Sequence, residues 1–203
     1  MMRDAFFPPE TPPADDQQTG WSLVEQAAAG DDRAFEALME RYKRPILNFV
    51  FRIIGEASEA EDVAQDVFVR VYRAIHQPGL RRTTGEFSTW LFRVARNAAL
   101  DCLRRRKRHP AESLTALEDH GETLVGAGST AAEEAAAEET GEQIAAAVDL
   151  LPEDQRTALV LAEYEGLPYS QIAGVLKCSR KSVEARLYRA RRFLRQRLAR
   201  LLP

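Results

Sequence analysis

Very little in this chain can hold a metal ion or form a covalent cross-link. Its 203 residues include two cysteines, Cys102 and Cys178, which are far apart and lack the paired spacing of a zinc site. The three histidines, His76, His109 and His120, fall in loop-like or linker-like sequence. There is no phosphate-binding glycine pattern, no metal-binding histidine pair and no nucleophile elbow, which leaves no catalytic site, metal or cofactor to expect. No stretch approaches the roughly 18 to 20 apolar residues of a membrane span. The N-terminus also lacks the basic start and apolar run of a signal peptide. The expectation is a soluble cytoplasmic protein that does not insert in membranes and is not an enzyme.

The net charge of -3 would argue against nucleic acid if it were spread evenly, but it is not. From Arg81 to Arg108 there are nine Lys/Arg against two acids, Glu86 and Asp101, giving +7. From Lys177 to Arg200 there are ten against one, Glu184, giving +9. Between them, Ala111 to Glu142 carries nine acids and no Lys or Arg. Two cationic blocks are therefore separated by an acidic connector.

Hydrophobic periodicity predicts helices throughout, and nothing reads as a strand, so the fold class is all-α. The acidic, proline-bearing stretch 1–20 reads as a disordered tail. Asp31 or Asp32 can cap a helix whose apolar positions Phe35, Leu38, Tyr42, Ile46, Phe49 and Ile53 recur at steps of three and four. Pro45 should kink or split that helix, and Gly55 should end it. A second helix, from about Ser58 to Ile75, buries Val63, Val67, Phe68, Val71, Tyr72 and Ile75. Its other face carries Asp62, Gln65, Asp66, Arg70 and Arg73, as mere solvation or as a docking surface. The span His76 to Glu86, with Pro78, Gly79, Gly85, Arg81, Arg82, Thr83 and Thr84, has the chemistry of a basic loop. Ser88 can cap a third helix from Thr89 to about Lys107, with Leu91, Val94, Ala95, Ala98 and Leu103 inward and Arg93, Arg96, Asn97, Arg104 and Arg105 outside.

Beyond Pro110, the Gly, Ser, Ala and Glu composition cannot pack a core and reads as a flexible linker. Helix resumes toward Leu150 and restarts at Leu151-Pro152, with Leu159, Val160 and Tyr164 inward and Gly166 as the stop. A short helix from Tyr169 to Leu176 and a long one after Ser179 then form a helix-turn-helix. Ala173 is small at the crossing, Lys177-Cys178 fills the turn, Ser179 caps, and Val183 and Leu187 anchor the second helix. The expected architecture is two small helical domains, 21–108 and 144–203, joined by an acidic linker, 109–143.

A helix-turn-helix puts the start of its second helix in the major groove, which makes Arg180, Lys181, Ser182, Glu184, Ala185, Arg186 and Arg189 the candidate base readers. Lys177, Arg191 and Arg192 suit phosphate contacts. A basic amphipathic helix also suits acidic lipids or partner proteins, but the capped second helix and its turn favour DNA. In the first domain, cations beside Phe87, Trp90 and Phe92 suit unpaired DNA, although aromatics at helical spacing are more often core. The loop is the better candidate there.

Two segments carry a resemblance. Ala60-Glu61-Asp62-Val63-Ala64-Gln65-Asp66-Val67-Phe68, followed by Phe87-Ser88-Thr89-Trp90-Leu91-Phe92-Arg93-Val94-Ala95-Arg96-Asn97, resembles the second domain of extracytoplasmic-function (ECF) sigma factors of the sigma-70 family. Leu151-Pro152-Glu153-Asp154-Gln155-Arg156, Gly166-Leu167-Pro168-Tyr169-Ser170-Gln171-Ile172-Ala173 and the run Ser182 to Arg191 resemble the fourth domain.

The resemblance implies that Asp62, Gln65, Asp66 and Arg70 grip the clamp helices of the largest subunit of core RNA polymerase, with a further contact at the flap region. It implies that Arg81, Arg82, Thr83, Thr84, Arg93, Arg96, Asn97 and Arg104 hold the melted minus-ten strand. Arg180, Lys181, Ser182, Ala185, Arg186 and Arg189 would read the double-stranded minus-thirty-five element, and an anti-sigma factor would control the protein. Glu184 and Ala185 depart from what many relatives carry, which leaves the promoter sequence open. An ordinary helix-turn-helix regulator and an enzyme acting on nucleic acid are the rival readings. The first would bind a palindromic site without polymerase, and the second lacks any metal or nucleophile constellation.

Overall fold

The computed structural model describes residues 16–77, 85–108, 140–141 and 143–199. Eight helices are found among the described residues, with no strand. They are α1 (Asp16–Ala28), α2 (Asp32–Ile54), α3 (Ala57–His76), α4 (Phe87–Arg108), α5 (143–149), α6 (Glu153–Glu163), α7 (Tyr169–Leu176) and α8 (Arg180–Arg197). The basic loop 78–84, the linker up to residue 139 and the tail before residue 16 lie outside the described residues.

The first four helices form one bundle around α2, which packs against α1, α3 and α4. Asp31 starts α2 by accepting a bond from the Arg33 amide at 3.0 Å, and Gly55 ends it at φ 77°, a left-handed conformation that glycine adopts without a Cβ clash. Leu38, Tyr42, Ile46, Phe49 and Ile53 are buried as the periodicity predicts, whereas Phe35 is half-buried against Tyr72. The helix is continuous through Pro45 instead of split, because packing of both halves against one core holds it together. Tyr72, expected inward on α3, is 45% exposed, while Val63, Val67, Phe68, Val71 and Ile75 are buried.

Two expected boundaries are corrected. Helix α1 begins at Asp16, inside the stretch read as a tail, because Trp21, Val24 and Ala27 are buried and the Trp21 indole donates to the Gly85 carbonyl at 2.8 Å. Tertiary anchoring thus orders a segment whose composition alone does not. Helix α4 begins at Phe87, so Ser88 is a buried first-turn residue whose hydroxyl donates to Glu86 at 3.4 Å, not a cap. Phe87 is what moves the start: its ring meets Trp21 edge-on at 5.5 Å and Tyr42 at 5.4 Å.

Helices α6, α7 and α8 form the second bundle. Pro152 precedes α6, Lys177 makes the left-handed turn after α7 at φ 50°, and Ser179 caps α8. The two bundles are packed on each other, α4 against α7 and α2 against α6, and share one continuous buried cluster. Gly174 of α7 lies so close to α4 that a Cβ there would fall 2.7 Å from Thr89 Cγ2.

Glu165, 5% exposed in the turn after α6, has its carboxyl pushed up to about 7 by burial, with the Arg52 cation opposing. The folded chain therefore takes up a proton at a carboxyl that ionises near its ordinary value when unfolded. The associated stability is complete at pH values below the unfolded value and is lost as pH rises through the folded one. Glu165→Gln should remove this loss, leaving the variant more stable than the parent by roughly 2 kcal/mol near pH 8 and little changed near pH 5. Urea unfolding at the two pH values measures the difference.

Candidate nucleic-acid and docking surfaces

Helix α3 sorts its residues by face. Val63, Val67 and Val71 point into the bundle, which leaves Asp62, Gln65, Asp66 and Arg70 exposed along a stripe on the other side at three- and four-residue steps. The stripe also holds apolar surface, since Val69 is 40% exposed and Tyr72 stands beside it. The Tyr72 ring is fixed by Phe35 at 5.1 Å and by His76 at 4.1 Å. Acids at one end, an arginine at the other and a rigid aromatic alongside give the stripe mixed charge around an apolar centre.

The cations of α4 do not form one free surface. Asn97, Arg104 and Arg105 are exposed, with Arg104 paired to Asp101 at 3.2 Å, and Arg93 is half-buried. Arg106 turns inward, donating to Glu59 at 3.2 Å and to the Ile54 carbonyl at 3.1 Å, where it ties the end of α4 to the corner between α2 and α3. Arg96, expected outside, bonds Asp154 at 2.6 Å with its side chain only 17% exposed. Among the aromatics, Phe92 is fully buried against Phe49 at 5.4 Å. Trp90 is half-buried, packed on Phe87 and Trp21. Phe87 and Phe92 thus belong to the core and offer no stacking face. Arg81, Arg82, Thr83 and Thr84 lie outside the described residues. Burial raises the Cys102 thiol above its ordinary range, with Glu59 adding to the effect and Arg105 opposing it, so the thiol is not activated.

The helix-turn-helix has the expected geometry. Ser179 accepts from the Ser182 amide at 3.2 Å, and Val183, Leu187 and Ala190 bury the inner face of α8. Lys181, Ala185 and Arg189 are exposed, Ser182 is half-buried, and Arg189 is steadied by its own helix through a 3.1 Å bond to the Ala185 carbonyl. Arg180 pairs with Glu184 at 3.4 Å, which partly offsets its charge. Arg186 is held by Asp154 at 2.9 Å and so is not free as expected. Arg191 is occupied by Glu163 at 2.5 Å. Lys181, Ser182, Ala185, Arg186 and Arg189 share a shallow concavity with Pro152, Asp154 and Gln155.

The sequence reading missed Asp154 as a partner of two arginines, because the acid is 58 residues from one and 32 from the other. It also missed the pairs that join the bundles: Gln171 with Glu86, Arg156 with the Ile53 carbonyl at 2.9 Å, and Arg52 over the Tyr164 ring at 4.1 Å. Among the described residues no group of three His, Cys, Asp or Glu can hold a metal ion, and no helix is long and apolar enough to cross a membrane.

Comparison with known proteins gives consistent matches. The Sigma-70 region 2 family matches residues 38–109, and the Sigma-70, region 4 family matches residues 141–194. The RNA polymerase sigma-H factor of Pseudomonas aeruginosa is 37% identical over 190 residues, 92% of this chain and 97% of that protein. The ECF RNA polymerase sigma-E factors of Haemophilus influenzae and of Escherichia coli K12 are 31% and 33% identical, over 92% and 87% of this chain and 99% and 92% of theirs. Among solved structures, CnrH in complex with the cytosolic domain of CnrY superposes with a TM-score of 0.65 at 25% identity, covering 89% of this chain and 97% of that one. The sigma factor RpoE from Bartonella quintana, in complex with the anti-sigma factor NepR, superposes at 0.62 and 22% identity, covering 81% and 96%; that likeness speaks for the fold.

The capping bond of Ser179 holds the start of α8 in place. Ser179→Ala should lower stability by about 1 kcal/mol, read as a fall in thermal midpoint, and Ser179→Asp should restore it.

Proposed function

We infer how the surfaces divide their labour from one premise: this chain belongs to the sigma-70 family of RNA polymerase sigma factors, in its extracytoplasmic-function branch. It is a transcription initiation factor rather than an enzyme. The α3 stripe of Asp62, Gln65, Asp66 and Arg70 is the docking face for the clamp helices of core polymerase, and Val69 and Tyr72 add an apolar centre. A further contact is made at the flap region. Asn97, Arg104, Arg93 and Arg96 of α4, with the loop residues Arg81, Arg82, Thr83 and Thr84, hold the melted minus-ten strand. Helix α8 enters the major groove of the minus-thirty-five element, where Arg180, Lys181, Ser182, Ala185, Arg186 and Arg189 face the bases and backbone. The working units are 16–108 and 144–203, with 109–143 between them.

A capped second helix behind a tight turn, with cations on its open face, carries the DNA part of this reading, because that arrangement delivers side chains to base edges. Two DNA-binding units joined by a linker gain specificity when polymerase fixes their spacing. Membership of the extracytoplasmic-function branch supports an anti-sigma factor as regulator here, one that covers the polymerase-binding and DNA-binding faces.

Run-off transcription with sigma-free core polymerase on a promoter library tests the assignment. The chain should initiate at defined sites only when core is present. Asp66→Arg should weaken core binding by roughly a hundredfold and abolish initiation while leaving the thermal midpoint unchanged. Arg189→Glu should instead lower initiation from upstream-element promoters by roughly 10- to 100-fold with core binding intact. Loss of core binding in Arg189→Glu, or tight promoter binding by the free parent at physiological salt, contradicts this division.

A further inference from the structure

Helix α8 carries eight Lys/Arg and a single acid, Glu184. The acid lies in the second turn, near the end of the helix that enters the groove in the function proposed above. It stands directly before Ala185 and off the buried stripe of Val183, Leu187 and Ala190. With Tyr188, one turn further on, it lines a concavity shared with Tyr169 of α7 and with Arg192 and Arg195. A lone carboxylate on such a surface is repelled by every phosphate that approaches, so it lowers affinity for DNA of any sequence.

Its intramolecular pair does not account for it. Glu184 Oε1 stands 3.4 Å from Arg180 Nε, one turn earlier, with the two side chains 49% and 72% exposed. An exposed pair at this spacing adds little to stability. What the pair does is aim the acid. Engaging Oε1 through Nε leaves Oε2 for a donor outside the helix, and it leaves the terminal nitrogens of Arg180 for a phosphate or a guanine edge.

The donors that such an oxygen can meet in the major groove are few. Base edges there offer amino hydrogens only at N4 of cytosine and N6 of adenine, while guanine presents N7 and O6 acceptors and thymine an O4 acceptor with a methyl group. On adenine the amino group sits beside N7, an acceptor that repels a carboxylate. On cytosine no acceptor stands next to the amino group. A carboxylate held at this end of α8 therefore gains a hydrogen bond over cytosine and is disfavoured over the other three bases.

We propose that Glu184 is a specificity-determining residue that selects cytosine at one position of the minus-thirty-five element, with Arg180 as the positioning residue that aims its carboxylate. The proposal rests on the reading of α8 as the helix in the major groove. Glu184 weakens binding to every sequence and recovers the loss only where cytosine faces it, so it raises discrimination rather than affinity.

Core-dependent run-off transcription from a promoter pool randomised across the upstream element tests this, using the parent, Glu184→Ala, Glu184→Gln and Arg180→Ala, with thermal midpoints as the check on folding. The parent should prefer cytosine at one position by roughly tenfold over each other base. Glu184→Ala should flatten that position to within about twofold, leave preferences elsewhere intact and raise initiation from pool members that lack the cytosine. Glu184→Gln should bring adenine at that position level with cytosine or above it, because an amide donates to N7 while accepting from N6. Arg180→Ala should weaken the cytosine preference when Glu184 is present and leave that position unchanged in the Glu184→Ala background.

A base profile that Glu184→Ala leaves unchanged, or alters evenly at every position, overturns the proposal while the sigma reading stands. Failure of the underlying reading looks different: the parent then does not initiate with core, or Arg189→Glu leaves the profile as it was, and the proposal falls with it.

Discussion

Helix α4 has to satisfy two packing surfaces at once, and the rest of the molecule is arranged around that constraint. One side inserts Phe87, Leu91, Phe92 and Ala95 into the first bundle, where Phe92 meets Phe49 edge-on and Phe87 is held between Trp21 and Tyr42. The other side presents Thr89 and Arg96 to the second bundle. The helix that carries candidate minus-ten cations is therefore also the floor on which the helix-turn-helix rests. Its far end is pinned by Arg106, which supplies a donor to the Ile54 carbonyl, one of the last in α2 and without an intrahelical partner.

The individual helices were legible because their signals are local. The three- and four-residue recurrence from Leu38 to Ile53, the caps at Asp31 and Ser179, and the glycine at 55 each determine their own neighbourhood within a turn or two. What was not legible depends on contacts far apart in the chain. Helix α1 has a weak pattern of its own and is ordered by an indole reaching 64 residues ahead to Gly85. The start of α4 is moved by an aromatic cluster drawn from three helices. Pro45 is tolerated because the flanking turns share one core, information that no local window contains.

The candidate site divides in the same way. That Asp62, Gln65, Asp66 and Arg70 share an exposed face follows from helix period alone. The same holds for Lys181, Ala185 and Arg189 on α8. Charge counting, by contrast, overstated what is available. Of the cations in the two basic blocks, Arg96, Arg106, Arg186 and Arg191 are each committed to an acid brought in from elsewhere: Asp154, Glu59 or Glu163. Net charge along a sequence measures how much cation is present, and only the fold decides how much of it faces outward.

Gly174 is the smallest feature of the contact between the bundles and the one with the longest reach. Polar pairs such as Gln171 with Glu86 can be exchanged for others of similar length, whereas a Cβ at 174 would fall 2.7 Å from Thr89 Cγ2 and fits only if Thr89 gives way. In evolutionary terms positions 174 and 89 are tied to each other across 85 residues of chain: a side chain at 174 needs a smaller one at 89, so the two can change only as a pair.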